Sequence, residues 1–161
     1  MARHAPNPES NDTIRRALPE EAETLAELAI RSKGHWGYDA DFLAACRAEL
    51  TMTAEDVATS LVFVYDGGNG PAGYYCLLVH AGGVAELDDL FVDPAQMGGG
   101  VGRRLWEHAA AQARVLGCTE MTVQSDPFAE GFYRAMGALR VGESESGSVP
   151  GRMLPVLRYG L

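Results

Sequence analysis

Between a stretch rich in strand formers and a stretch with helical periodicity, the chain reads Gln96-Met97-Gly98-Gly99-Gly100-Val101-Gly102-Arg103. Glycines this dense continue neither a strand nor a helix, so the backbone must turn here with its amides bare. Such a loop, entering a helix N-terminus, is the setting in which successive N–H groups bind an anionic phosphate. Two nucleotide-binding loops are excluded by spacing. A Walker loop needs a Lys-Ser or Lys-Thr pair after its glycines, and none follows here. The dinucleotide pattern G-x-G-x-x-G fails because Arg103 stands where Gly98-x-Gly100 requires a third glycine. A phosphate site of another kind remains, beside the plain alternative of a turn that only packing requires.

The flanking segments define the fold expected around this loop. Thr13 to Arg16 is strand-like, and Pro19 with Glu20, Glu21 and Glu23 opens a helix whose stripe is Leu18, Leu25, Leu28 and Ala29, fading near Arg31. Asp39 caps a second helix to about Leu50, with Phe42, Leu43 and Cys46 on its buried side. Ser60 to Tyr65, Gly73 to His80 and Val84 to Val92 read as three meandering strands separated by glycine turns. A helix from Val101 to about Leu116 presents Val101, Leu105, Ala109, Gln112 and Leu116 on one face. Thr119 to Ser125 is a strand, Phe128 to Met136 a short helix, and Ala138 to Val141 and Met153 to Tyr159 are terminal strands. The order predicts one α/β domain over residues 13–161, built on a central mixed, mostly antiparallel sheet, with Val84 to Ser125 as a right-handed parallel crossover. Residues 1–12 are too polar for a signal peptide and are expected to be a flexible leader.

Composition narrows the class of partner. The chain has 161 residues, 19 of them glycine without a three-residue period, which fits one domain and excludes collagen. Its formal net charge of −9 opposes a nucleic-acid partner and favours cationic small molecules. Cys46, Cys76 and Cys118 form no C-x-x-C pair, and the histidines have no ligand spacing, so neither a disulfide framework nor a metal site is expected. A reducing cytoplasm is the simplest location, and no apolar run approaches membrane-spanning length.

Three motifs occur in a telling order: Leu90-Phe91-Val92-Asp93-Pro94, the glycine loop, and Phe132-Tyr133-Arg134-Ala135-Met136-Gly137-Ala138. In this order the sequence resembles the GNAT superfamily of N-acetyltransferases, with its specific motifs spanning Glu86 to Ala138. Met97 occupies the position of the family's Gln or Arg, and Asp126 that of a frequent asparagine. The resemblance implies acetyl-coenzyme A as donor and no metal. Its pyrophosphate would lie on the amides from Gly98 through Gly99, Gly100, Val101 and Gly102 to Arg103, and its pantetheine arm on the open backbone of Leu90, Phe91 and Val92. Met97, Asp126 and Phe128 are expected beside the cofactor, and two strands are expected to splay apart to admit it. A homodimer is common in the family.

Acetyl transfer to an alkyl amine needs a neutral nitrogen, and an amine with a pKa near ~10.4 is mostly protonated at neutral pH, so a general base is useful. Strand alternation across Glu86-Leu87-Asp88-Asp89 places Glu86 and Asp88 on one face and Asp89 on the other. Glu86 is the first choice of base, matching a glutamate with that role in histone-acetylating relatives, and Asp88 or Asp89 the second. Tyr133 matches the family tyrosine that protonates the departing thiolate. The Phe91 or Val92 amide is expected to hydrogen-bond the thioester carbonyl. Lys33-Gly34-His35-Trp36-Gly37-Tyr38 joins the first two helices, where the resemblance places the acceptor; His35, Trp36, Tyr38 and Asp89 are its expected contacts. The expected reaction is direct transfer to the primary amine of a small molecule. A protein or peptide acceptor and a non-catalytic acyl-coenzyme A binding module are the alternatives.

Overall fold

The computed structural model describes residues 13–161, and the leader expected over 1–12 lies outside them. Strands β1 (Thr13–Arg16), β2 (Leu61–Asp66), β3 (Pro71–His80), β4 (Val84–Val92), β5 (Glu120–Gln124), β6 (Leu139–Glu145) and β7 (Met153–Gly160) form one sheet in the order β1-β2-β3-β4-β5-β7-β6. All neighbours run antiparallel except β4 and β5, which are joined through helix α4 (Val101–Val115).

The period of two along the strands divides the side chains between two cores. Val62 and Val64 of β2, with Tyr74 and Cys76 of β3, pack under α1 (Ala22–Gly34), α2 (Ala40–Leu50) and α3 (Ala54–Thr59). The alternate residues Phe63, Tyr65, Tyr75 and Leu77 pack against α4 and α5 (Glu130–Ala135). Fully buried Leu25 and Leu28 hold α1 to the first core, each contributing about 1.5–3 kcal/mol of transfer free energy.

Several elements differ from the sequence reading. Helix α1 continues to Gly34 instead of fading near Arg31, because Ser32 is buried against the core and the turn comes only at Gly37, with φ 91°. Helix α3 was not expected at all. Its start is a capping box in which the Thr53 hydroxyl accepts from the Asp56 amide and the Asp56 carboxylate accepts from the Thr53 amide. On α4 the buried face is Val101, Leu105, Trp106, Ala109, Ala110 and Ala113, while Leu116 is exposed beyond the helix end. Steps of four drift around a 3.6-residue turn, so the stripe leaves Leu116 behind. Strand β6 runs on to Glu145, past a bulge between Arg140 and Gly142.

Two features of β4 position the site. Its ladder with β5 lasts only from Val84 to Glu86, opposite Glu120 to Thr122, after which the strands part and leave the edge of β4 open. In its ladder with β3, Leu87 faces Leu77 and Asp89 faces Cys76, so Asp88 is a bulged extra residue.

Candidate active site

The parting of β4 from β5 opens a cavity of about 530 Å³. One end is the glycine loop. Gly98 and Gly100 hold φ of 83° and 84°, the left-handed region that side chains with a Cβ rarely adopt, and a Cβ on either would meet nothing within 4 Å. Gly100 is the N-cap of α4, and no side chain caps this helix end. A Cβ on Gly102 would come within 3.2 Å of the Phe132 ring, so the helix start and α5 meet closely only because the position is bare. Uncapped first-turn amides before open space form the cradle an anionic phosphate requires. Leu90 and Val92 pack toward the α4 core and Phe91 toward the α1 core, leaving the open backbone edge of β4 along the cavity.

The carboxylates lie at the other end. The bulge at Asp88 breaks the alternation, so the expected division of Glu86 and Asp88 from Asp89 does not hold. Oxygens of Asp88 and Asp89 and the Cys76 Sγ all lie within 4.8 Å of one another. Asp89 is half-buried, and its pKa is pushed up to about 7, first by desolvation and then by the charges of Asp88 and Glu49. Burial pushes the Cys76 thiol up to about 12, so it stays protonated near neutral pH. Glu86 lines the cavity at its rim, and one carboxylate oxygen hydrogen-bonds the His80 Nε2 at 2.8 Å.

Tyr133 reaches the cavity from α5, its ring held against Trp106 and Phe132. Burial raises its pKa, and the charges of Asp89 and Asp126 raise it further. The phenol therefore remains protonated near neutral pH while Asp89 titrates there, an acid and a base facing one cavity with their pKa values pushed apart.

A clamp closes one side of the cavity mouth. The Asp126 carboxylate accepts from Lys33 Nζ at 3.2 Å, from the Tyr38 hydroxyl at 3.0 Å and from the Phe128 amide at 2.9 Å. Arg152 donates to the Tyr38 hydroxyl and lies 3.6 Å from the same carboxylate. Trp36 stacks on Phe128, their centroids 5.7 Å apart. Three segments far apart in sequence are thereby joined: the α1–α2 loop, the β5–α5 loop and the β6–β7 loop.

Residues 22–138 match the model of the acetyltransferase (GNAT) family. The chain belongs to the GNAT acetyltransferase family. The GNAT protein is 36% identical over 150 residues to the peptidyl-lysine N-acetyltransferase YjaB of Salmonella typhimurium, covering 89% of this chain and 94% of that one. It is 33% identical to YjaB of Escherichia coli over 153 residues, 90% of this chain and 93% of that one. Among solved structures, the PaiA N-acetyltransferase of Thermoplasma acidophilum in complex with coenzyme A superposes with a TM-score of 0.79, at 19% identity, over 94% of this chain and 99% of that one. The GNAT protein is therefore an acyltransferase.

Most of the residues singled out from sequence come together in this GNAT cavity. Leu90, Phe91, Val92 and Met97 line it, as do Gly98, Gly100, Val101, Gly102 and Arg103. So do Trp36, Glu86, Asp88, Asp89 and Tyr133, and Asp126 and Phe128 of the clamp. Three do not line it. Gly99 turns away, its amide directed to the Gln96 carbonyl. His35 caps the end of α1 with its ring edge against Trp36. Tyr38 is committed to Asp126, with its hydroxyl pKa pushed up to about 12 by burial and that carboxylate. Arg103 lies 4.0 Å from Glu107, and Arg104 leaves the loop to donate to the Tyr65 hydroxyl at 3.1 Å. Glu49, Ser146, Ser148 and Arg152 line the cavity without any sequence motif having marked them. No helix among the described residues is long and apolar enough to cross a membrane.

Proposed function

We propose that the cavity acetylates a primary alkyl amine, with the Nε atom of a lysine residue in a polypeptide as the preferred acceptor and a free small amine as the second reading. The observation that carries the amine reading is the placing of a half-buried carboxyl, Asp89, and a buried phenol, Tyr133, in one cleft along the open edge of β4. The preference for lysine rests on the two relatives named as peptidyl-lysine N-acetyltransferases.

When bound, acetyl-coenzyme A supplies an acetyl group activated as a thioester. The α4 N-terminus and the amides of the glycine loop hold the phosphates, and the open edge of β4 aligns the arm. Asp89 is the general base in this reading, ahead of Glu86. An ordinary carboxylate lies about 6 pH units below an alkyl ammonium, whereas a base near 7 lies about 3 units below it, so proton transfer costs less. Glu86, fixed by His80 at the rim, and the bulged Asp88 hold the incoming ammonium. Tyr133 holds the proton that the departing sulfur needs at its hydroxyl, and the Phe91 or Val92 amide donates to the carbonyl under attack.

The test is the pH dependence of kcat/KM with a blocked lysine peptide. The acidic limb is expected near pH 7 in the natural protein. Asp89→Asn should lower the plateau by about 10²-fold and abolish that limb. An unchanged limb in Asp89→Asn, with Glu86→Gln removing it instead, would return the base to Glu86.

A further inference from the structure

Lysine is nearly absent from the sequence. Lys33 is the single lysine among 13 lysine and arginine residues, every other one being arginine. A guanidinium stays protonated near neutral pH and is no nucleophile, so Lys33 carries the one side-chain amine that the sequence offers to an acyl donor. That amine stands at the site. Lys33 lies in the last turn of α1 and lines the cavity together with Asp89, Asp126 and Tyr133. Its side chain is only 13% exposed, so the amine is reached from within the cavity rather than from bulk solvent.

Two cations share one anchor here. Lys33 Nζ lies 3.2 Å from Asp126 Oδ2, and an Arg152 nitrogen lies 3.6 Å from the same oxygen. Both also stand over the rings of Tyr38 and Phe42, Lys33 at 5.6 and 5.8 Å and Arg152 at 5.2 and 4.8 Å. Arg152 is the closer to each ring, and it donates to the Tyr38 hydroxyl as well. Asp126 therefore keeps a cationic partner when Lys33 swings away, and the clamp then balances one negative charge with one positive charge. The flexible four-carbon stem of lysine allows that swing. The charge of Asp126 acts on the Tyr133 hydroxyl, so the amine starts from the neighbourhood of the proposed acid.

We propose that Lys33 is a self-acetylation site, modified within one chain by the cavity that it lines. This rests on the amine-acetylating reading above and goes beyond it, because the acceptor is the protein's own side chain and acetyl-coenzyme A is the co-reactant. The Lys33 ammonium loses one proton to the base of the cavity, Asp89 in that reading, and its nitrogen bonds the acetyl carbon. The C–S bond breaks with its electron pair going to sulfur, which takes a proton from Tyr133. The nitrogen loses its second proton to solvent, and solvent restores Asp89 and Tyr133. The products are one acetyl-lysine, one free thiol and one released proton. The reaction limits itself, since the amide formed is no longer a nucleophile and no second side-chain amine is present.

The test follows the intact mass of the natural protein incubated with acetyl-coenzyme A, then maps the modified peptide. A parallel reaction contains a blocked peptide bearing one lysine. The expected result is one acetyl group per chain, on Lys33, with a first-order rate constant that does not change as the protein is diluted. Tyr133→Phe, shown by its melting with coenzyme A to be folded and to bind, should slow the modification by about 10²-fold. Lys33→Arg, which keeps a positive charge beside Asp126, should gain no acetyl group. Four results would overturn the proposal: an unmodified Lys33 while the peptide is acetylated, an acetyl group on another residue or on the N-terminal amine instead, a rate constant that rises with protein concentration, or a rate unaffected by Tyr133→Phe. The third would mean transfer between copies and the last simple chemical acetylation. Failure to acetylate either Lys33 or the peptide would overturn the amine reading, and the modification of Lys33 with it.

Discussion

At the scale of single residues, the site depends on a carboxyl and a phenol displaced in the same direction for opposite uses. Both are raised by burial and by neighbouring negative charge. For Asp89 this moves the group into the range where it accepts a proton; for Tyr133 it secures a proton to give. Tyr133→Phe should reduce kcat by about 10²-fold in steady-state assays and change the KM for acetyl-coenzyme A by less than about threefold. A variant with natural kcat would make the ring a packing element against Trp106 and nothing more. The raised carboxyl also has a cost in stability. Its folded pKa of about 7 exceeds the unfolded value, so between about pH 4 and 7 the native state holds a proton that the unfolded chain lacks. Stability from this group therefore falls as pH rises through that window. Urea unfolding should find Asp89→Asn more stable than the natural protein by on the order of 1–3 kcal/mol at pH 8, with the difference vanishing near pH 4.

At the scale of elements, what the sequence reveals depends on whether a feature is local. The turn into α4, the open end of β4 and the Phe132-Tyr133 pair each lie within a few consecutive residues, and each is where the sequence placed it. The bulge at Asp88 is different. Nothing in Glu86-Leu87-Asp88-Asp89 announces it, because it arises from the register in which β4 meets β3, and it moved Asp89 beside Asp88. Glu49, Ser146 and Arg152 were invisible for a related reason: they come from a helix end and a distant loop, and the sheet alone brings them together. Helix α3 was legible in principle, since Thr53 and Asp56 form a capping box, but its six residues are too few to show a stripe. The α4 entry makes the sharpest prediction at this scale. Gly100→Ala should strain a residue held at φ 84° by about 1–2 kcal/mol, enough to displace the first amides of the helix. Thermal melts with coenzyme A should show a large stabilisation of the natural protein and a much smaller one for Gly100→Ala. Equal stabilisation would separate the glycine loop from phosphate binding.

At the scale of the whole molecule, the net charge of −9 acquires a location. Part of it is spent on structure: Glu21 and Asp66 hold Arg15, and Asp126 holds the clamp. Another part, in Glu49, Asp88 and Asp89, is gathered at one end of a cavity whose other end is the bare, positive terminus of a helix. The two ends suit an anionic donor and a cationic acceptor brought together between parted strands. The most direct measurement is product identification by mass spectrometry after incubating the protein with acetyl-coenzyme A and a blocked peptide bearing one lysine. The expected result is an acetyl group on the lysine Nε, formed in step with free coenzyme A thiol and at a rate that collapses in Tyr133→Phe. An unmodified peptide at saturating donor, with the protein folded and stabilised by coenzyme A, would contradict lysine as the acceptor of this site.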